Sequence, residues 1–154
     1  MDTNFEIGEL PYNLDAEQTV LGAILLDPES LSVAMEHIKP ESFYVSKHRE
    51  LFRIIFNQFS LGVTSDIITV INEAVSDNIF ESATAGKEYL ASIMENVPTT
   101  KNVVDYCKIV EEKYYIRSLI TAAREIIEAS SAGQESASQL IDYAEQKIYD
   151  IRKG

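Results

Sequence analysis

The chain has 154 residues, 45% of them hydrophobic, and a formal net charge of −12. That is enough to bury a core in one domain, or in one domain with an appendage, and no apolar run reaches the roughly eighteen residues that a membrane span requires. Eleven of the twelve excess negative charges fall in the first hundred residues, a surface that repels phosphate and argues against nucleic-acid binding by this chain alone.

The opening MDTNFEIGEL is acidic, lacks the basic-then-apolar order of a signal peptide, and reads as a flexible tail over residues 1–10. Pro11 stops anything before it from being helical. Asn13 is a good N-cap, and Asp15 and Glu17 follow in the first turn, where carboxylates favour the helix dipole. Val20, Leu21, Ile24 and Leu25 recur at helical spacing, with Gly22 and Ala23 leaving room for a close neighbour. Asp27-Pro28 predicts a second helix from Pro28 to about His37, closed by Pro40. Ser46 opens a third through Leu51, Phe52, Ile55, Phe56 and Phe59, ending before Gly62. Asp66 caps a fourth, with Ile67, Val70, Ile71 and Ala74 as its buried face. The β-branched run IITVI has no partner strand elsewhere and is assigned to that helix. A short helix follows from about Gly86 to Glu95, carrying Tyr89, Leu90 and Ile93.

After Pro98 the character changes. From Thr100 to about Ser130 there is neither proline nor glycine, and Val103, Cys107, Val110, Tyr114, Ile116, Ile120, Ala123 and Ile127 keep a helical period. Such a helix is about 45 Å long at 1.5 Å per residue. SSAGQES breaks it, and Ser136 with Gln139 has the spacing of a capping box. The last helix places Ala137, Ile141, Ala144, Ile148 and Ile151 on one narrow seam, which Ile120, Ala123 and Ile127 can face across a hairpin. The hairpin's outer residues, Tyr115, Ile116 and Ile126, then remain for contact with a second copy, and Ile141 and Ile148 of the seam are candidates for the same self-association. The expected organisation is all-α: a compact multi-helix globular subdomain over 11–98, followed by an antiparallel two-helix hairpin arm over 99–152 that drives self-association.

Catalytic constellations are missing. His37 and His48 lack the spacing of zinc ligands, and His48 reads as a buried or capping histidine. There is no nucleophile elbow, and Gly86-Lys87 is followed by Glu88 with Glu81 where a phosphate-binding loop needs its first glycine. No site for ATP, a metal or another cofactor is expected in this chain, and no enzymatic activity. Cys107, the single cysteine, reads as a small buried hydrophobe and suits a reducing cytoplasm. The Tyr114-Tyr115 pair reads as arm packing rather than as a base-stacking platform.

Taken together, these residues carry a resemblance. Pro11-x-Asn13-x-x-Ala16-Glu17-x-x-Val20-Leu21-Gly22, Asp27-Pro28, Phe43-Tyr44 and His48 with Phe52 resemble the N-terminal domain of DnaB-type replicative DNA helicases. The match continues through Asp66-x-Ile68-Thr69, Gly86-x-x-Tyr89-Leu90, Val97-Pro98-Thr99, Asn102, Tyr106, Ile109-Val110-Glu111-Glu112-Lys113, Arg117, Leu119-Ile120 and Ala144-Glu145. Three departures stand out. Val63-Thr64-Ser65 lacks the family's proline before Asp66, so a looser turn is expected there. The family's glycine pair is Ala85-Gly86, and Arg117 stands without a second basic neighbour.

The resemblance implies a globular subdomain and hairpin forming the collar of a hexameric ring built from hairpin-paired dimers. It also implies a longer parent, an ATP- and Mg-dependent cytoplasmic enzyme that unwinds DNA 5′-to-3′ and whose motor is not in this sequence. A DnaG-type primase docks on such collars and loader proteins act nearby. Positions for the primase contact map onto Asp15, Tyr89, Ile120 and Ile126; Asp15 also reads as a first-turn acid, core packing accounts as well for Tyr89, and hairpin packing accounts better for the two isoleucines. The residues leave one rival open, a stand-alone helical adaptor or loader-like protein that binds primase or helicase without a motor of its own.

Overall fold

Asn13 sets the first helix by a local bond. Its backbone is extended and its side-chain oxygen accepts the Ala16 N–H at 2.9 Å, which starts α1 (Leu14–Leu26). The computed structural model describes residues 10–154, so all but the last residue of the expected N-terminal tail lies outside the described residues. Among the described residues there are seven α-helices and one 3-10 turn, with no strand, as the all-α reading expects. The remaining helices are α2 (Ser30–Met35), α3 (Ser46–Ser60), α4 (Ile67–Ser76), α5 (Ala83–Glu95), α6 (Val103–Ala132) and α7 (Ala137–Lys153), with the 3-10 turn at Pro40–Ser42.

Packing divides the chain into a compact unit of Tyr12–Glu112 and a second unit that holds Pro11 and Lys113–Gly154. Sequence reading places its boundary at 98/99. The division instead falls inside α6, because Val103, Cys107 and Val110 belong to the core of the first unit. In that unit α1 is the central helix, with Val20, Leu21, Ala23 and Ile24 almost fully buried, and it packs on α2, α3 and α5. Phe43, Leu51, Phe52, Ile55, Val70, Ala74, Leu90 and Ile93 fill the rest of the core.

Several boundaries differ from the expected ones, for local reasons. The second helix starts at Ser30 rather than Pro28, because Asp27 closes a turn: its carboxylate accepts the Glu29 N–H and its carbonyl the Ser30 N–H. It also ends at Met35. The fifth helix begins at Ala83, since Ser82 accepts the Ala85 N–H, and Gly86 lies inside it against the Phe80 ring. Phe56 and Phe59 are 41% and 51% exposed while Ile54 turns inward instead. The turn before Asp66 is not loose. Ser65 donates to the Gln58 side chain at 2.8 Å, Gln58 donates to the Thr69 carbonyl, and the Val63 N–H donates to the Gln58 carbonyl.

The second unit is a hairpin. Gly133, with φ of +68°, ends α6, and Ser136 with Gln139 forms the expected capping box at the start of α7. Lys147 pairs with Glu125 at 2.6 Å, which sets the two helices antiparallel about the short turn. Arg117 is buried and its guanidinium donates to the Pro11 carbonyl. The expected seam does not close within the hairpin. No α7 residue is buried, Ile127 and Ala123 are exposed, and on the hairpin part of α6 the buried apolar residue is Ala122.

Gly22 provides a direct test of the α1–α5 contact. A Cβ there would sit 2.6 Å from a Val97 methyl and 2.8 Å from the Ile93 carbonyl oxygen. Gly22→Ala gains about 1 kcal/mol of helix propensity, but forcing backbone apart costs about 1–3 kcal/mol. Urea denaturation should show net loss of stability; an increase would mean that α1 and α5 are not held this closely.

Candidate functional site

The most distinctive polar cluster of the first unit starts from Glu17, a first-turn acid of α1 that is only 1% exposed. Its Oε2 accepts the Tyr44 N–H at 2.7 Å, and its Oε1 accepts the Val45 N–H at 3.2 Å. The same Oε1 lies 2.8 Å from His48 Nδ1, and His48 is completely buried. On the other side of that ring, Nε2 lies 2.5 Å from the Tyr89 hydroxyl of α5. A neutral imidazole protonated at Nδ1 satisfies the whole chain: it donates to Glu17 and accepts from Tyr89. Tyr89 is half-buried, its ring packs against Phe80, and the Lys47 ammonium lies 4.9 Å from its centroid.

The carboxylate–imidazole–hydroxyl order has the look of an activated nucleophile, but its chemistry runs the other way. Burial, and secondarily the charge of Glu17, push the Tyr89 hydroxyl up from its ordinary value, so it holds its proton more tightly. A nucleophile requires a lowered pKa or a base free to take the proton. This cluster instead ties α1, α3 and α5 together at one point. Among the described residues no group of three or more His, Cys, Asp or Glu could hold a metal ion, and no helix is long and apolar enough to cross a membrane.

The residues singled out by sequence fall into two sets. Asp15 is exposed in the first turn of α1, one turn before Gln18, whose side-chain nitrogen lies 3.5 Å from the Tyr89 hydroxyl. Asp15 and Tyr89 therefore share one neighbourhood of the compact unit. Ile120 and Ile126 are half-buried on α6 in the hairpin. Of the self-association candidates, Ile116, Ile141 and Ile148 are exposed at 37%, 58% and 46%, while Tyr115 is half-buried with its ring 5.9 Å from that of Tyr114. Sequence reasoning missed Leu119 and Tyr149, which are also exposed on the hairpin. It also missed the role of Glu17, whose place in the first turn of α1 suggests only a contact with the helix dipole.

A family profile described as "DnaB-like helicase N terminal domain" matches residues 9–112. The chain is 35% identical over 141 residues to the replicative DNA helicase DnaC of Bacillus subtilis, a match covering 92% of this chain and 31% of that protein. It is 36% identical, with the same coverage, to the replicative DNA helicase DnaB of Geobacillus stearothermophilus. The crystal structure of the N-terminal domain of DnaB helicase from Mycobacterium tuberculosis superposes with a TM-score of 0.84 at 31% identity, covering 92% of this chain and 99% of that one. The chain belongs to the DnaB-like helicase N-terminal domain family, and it spans 31% of the length of these curated helicases.

Two outcomes follow from the cluster and the core beside it. Glu17→Ala leaves two backbone N–H groups and a buried imidazole without their acceptor, which should cost about 3 kcal/mol in chemical denaturation. A loss below about 1 kcal/mol would remove Glu17 from the centre of the fold. Burial, and then the charge of Glu111, push the Cys107 thiol up to about 12. The folded state thus favours the protonated thiol, a contribution complete below about pH 9 and lost as the pH climbs toward 12. At pH 8 a thiol reagent should modify Cys107 only at the rate of unfolding, so the modification and unfolding rates should rise together in urea.

Proposed function

We propose that this domain is the assembly and primase-docking collar of a hexameric replicative helicase. In this reading the parent's motor, which lies outside this sequence, uses ATP and Mg to unwind DNA 5′-to-3′ in the cytoplasm. The collar itself carries no catalysis and does not grip DNA. The observation that carries the reading is the open seam of the arm: α7 buries none of its residues and leaves Ile141 and Ile148 exposed. Ile116 adds a third such side chain on α6.

Burying three or four apolar side chains per chain yields about 1.5–3 kcal/mol each, against an association cost of about 4–15 kcal/mol. Micromolar dimers paired through residues 99–152 fit that range, with the hexamer completed by the parent's other parts. For a DnaG-type primase the contact positions are Asp15 and Tyr89 within the compact unit and, separately, Ile120 and Ile126 within the arm. A helicase loader is a further partner.

Sedimentation equilibrium tests the assembly. The chain should be dimeric or larger at about 100 μM, and Ile148→Asp, which places a charge in the seam, should give monomers with unchanged helicity by circular dichroism. A parent chain that is monomeric at that concentration overturns the reading. Asp15→Lys should weaken binding to the C-terminal domain of a DnaG-type primase roughly tenfold in a titration while leaving self-association intact. Single-stranded DNA should bind more weakly than a dissociation constant of about 10⁻⁴ M at about 0.15 M salt.

A further inference from the structure

Away from the Asp15–Tyr89 neighbourhood, the compact unit carries an apolar groove. It has a volume of about 360 Å³ and is floored by Ile24, Leu31, Ile55, Phe59 and Val63 from α1, α2, α3 and the loop after α3. Seven large hydrophobic side chains of this unit are exposed, and six of them cluster in sequence around this lining: Leu26, Phe56, Phe59, Leu61, Val63 and Ile68. Leu61 is 79% exposed and Ile68 67%.

The charge of the rim is one-sided. Glu29 lines the groove, no Lys or Arg does, and Asp27 and Asp66 immediately flank lining segments. Arg53, the cation nearest in sequence on α3, is held by Glu50 and Glu41. Three donors of the loop are already taken, because the N–H groups of Leu61, Gly62 and Val63 are bonded to the carbonyls of Asn57, Gln58 and Phe59. What remains is recognition by side-chain insertion, the mode in which an amphipathic helix lays anchors at i, i+3/i+4 and i+7 into an apolar groove.

We propose that this groove is the docking site for a basic amphipathic helix of another protein, its apolar stripe seated against Phe59 and Val63 and its Lys or Arg residues facing Glu29, Asp27 and Asp66. None of these residues belongs to the proposed primase face or to the arm, so the site stands whether or not the collar reading holds.

The test uses the full chain and two fluorescently labelled peptides with one leucine pattern, one bearing lysine at its polar positions and the other glutamate. Anisotropy should report saturable binding of the lysine peptide and roughly hundredfold weaker binding of the glutamate peptide. Two variants probe the groove from exposed positions: Val63→Asp, and Ser32→Tyr, which fills it from the rim. Each should weaken the lysine peptide roughly tenfold with unchanged circular dichroism and thermal midpoint. Equal affinity for native and variant chains would mean diffuse charge attraction and overturn the proposal, as would equal binding of both peptides. A drop in oligomeric state with Val63→Asp would make a second copy the occupant and equally overturn it.

Discussion

A carboxylate sealed from water in the first turn of α1, ahead of that helix's apolar run, imposes a demand that the rest of the compact unit answers. Burying an ion without partners costs several kcal/mol, so Glu17 holds its place only because Tyr44, Val45 and His48 bring three donors to it. Two of these are the backbone N–H groups just ahead of α3, and the third lies in that helix's first turn. Val45, the N-cap of α3, has no side chain able to accept an N–H. Glu17 accepts the N-cap N–H of α3 from another helix, as the N3 glutamate of a capping box does locally, and its charge sits where the α3 dipole favours it. His48 then extends the same constraint to Tyr89, fixing α5 to the pair. Three helices distant in sequence share one polar junction inside a core of leucine, isoleucine and phenylalanine.

That junction explains why the neighbouring surfaces can be spent on partners. With α1, α3 and α5 locked on one side, the opposite ends of α1 and α3 leave Leu26, Phe59 and Val63 open without loss of the core. The arm follows different physics. Its described residues are held by the Lys147–Glu125 pair, a capping box, the buried Arg117 and Ala122, and half-buried side chains, and its apolar stripe is presented rather than consumed.

Signals completed by near neighbours are legible in the sequence, and signals that depend on distant partners are not. Asn13, Asp66 and Ser136 cap their helices through neighbours three residues away, and each was legible as a cap. The partners of Glu17 lie 27 to 31 residues along the chain, so its position in a first turn suggested only a dipole contact. His48 was expected to be buried and Tyr89 was marked by resemblance, yet nothing in spacing alone joins them. The onset of α5 lies three residues ahead of the expected Gly86, which sits inside the helix as a point of close approach to Phe80. The 4-3-4-3 stripe of α7 was visible, but periodicity fixes a face and not what meets it. The groove had no signature, since Phe56 and Phe59 continue a helical period whether they point inward or out.

A helix with no buried side chain draws little protection from its own chain, and α7 is such a helix. Amide hydrogens open locally with free energies set by the contacts that must break, so those of α7 exchange from a shallow well while those of α1 await near-global unfolding. Pairing with a second copy adds contacts only to the first set, and by mass action their exchange slows as concentration rises while the core is unaffected. The arm thus records the assembly state of the molecule in its hydrogen-exchange rates, and α1 supplies the internal clock against which to read them.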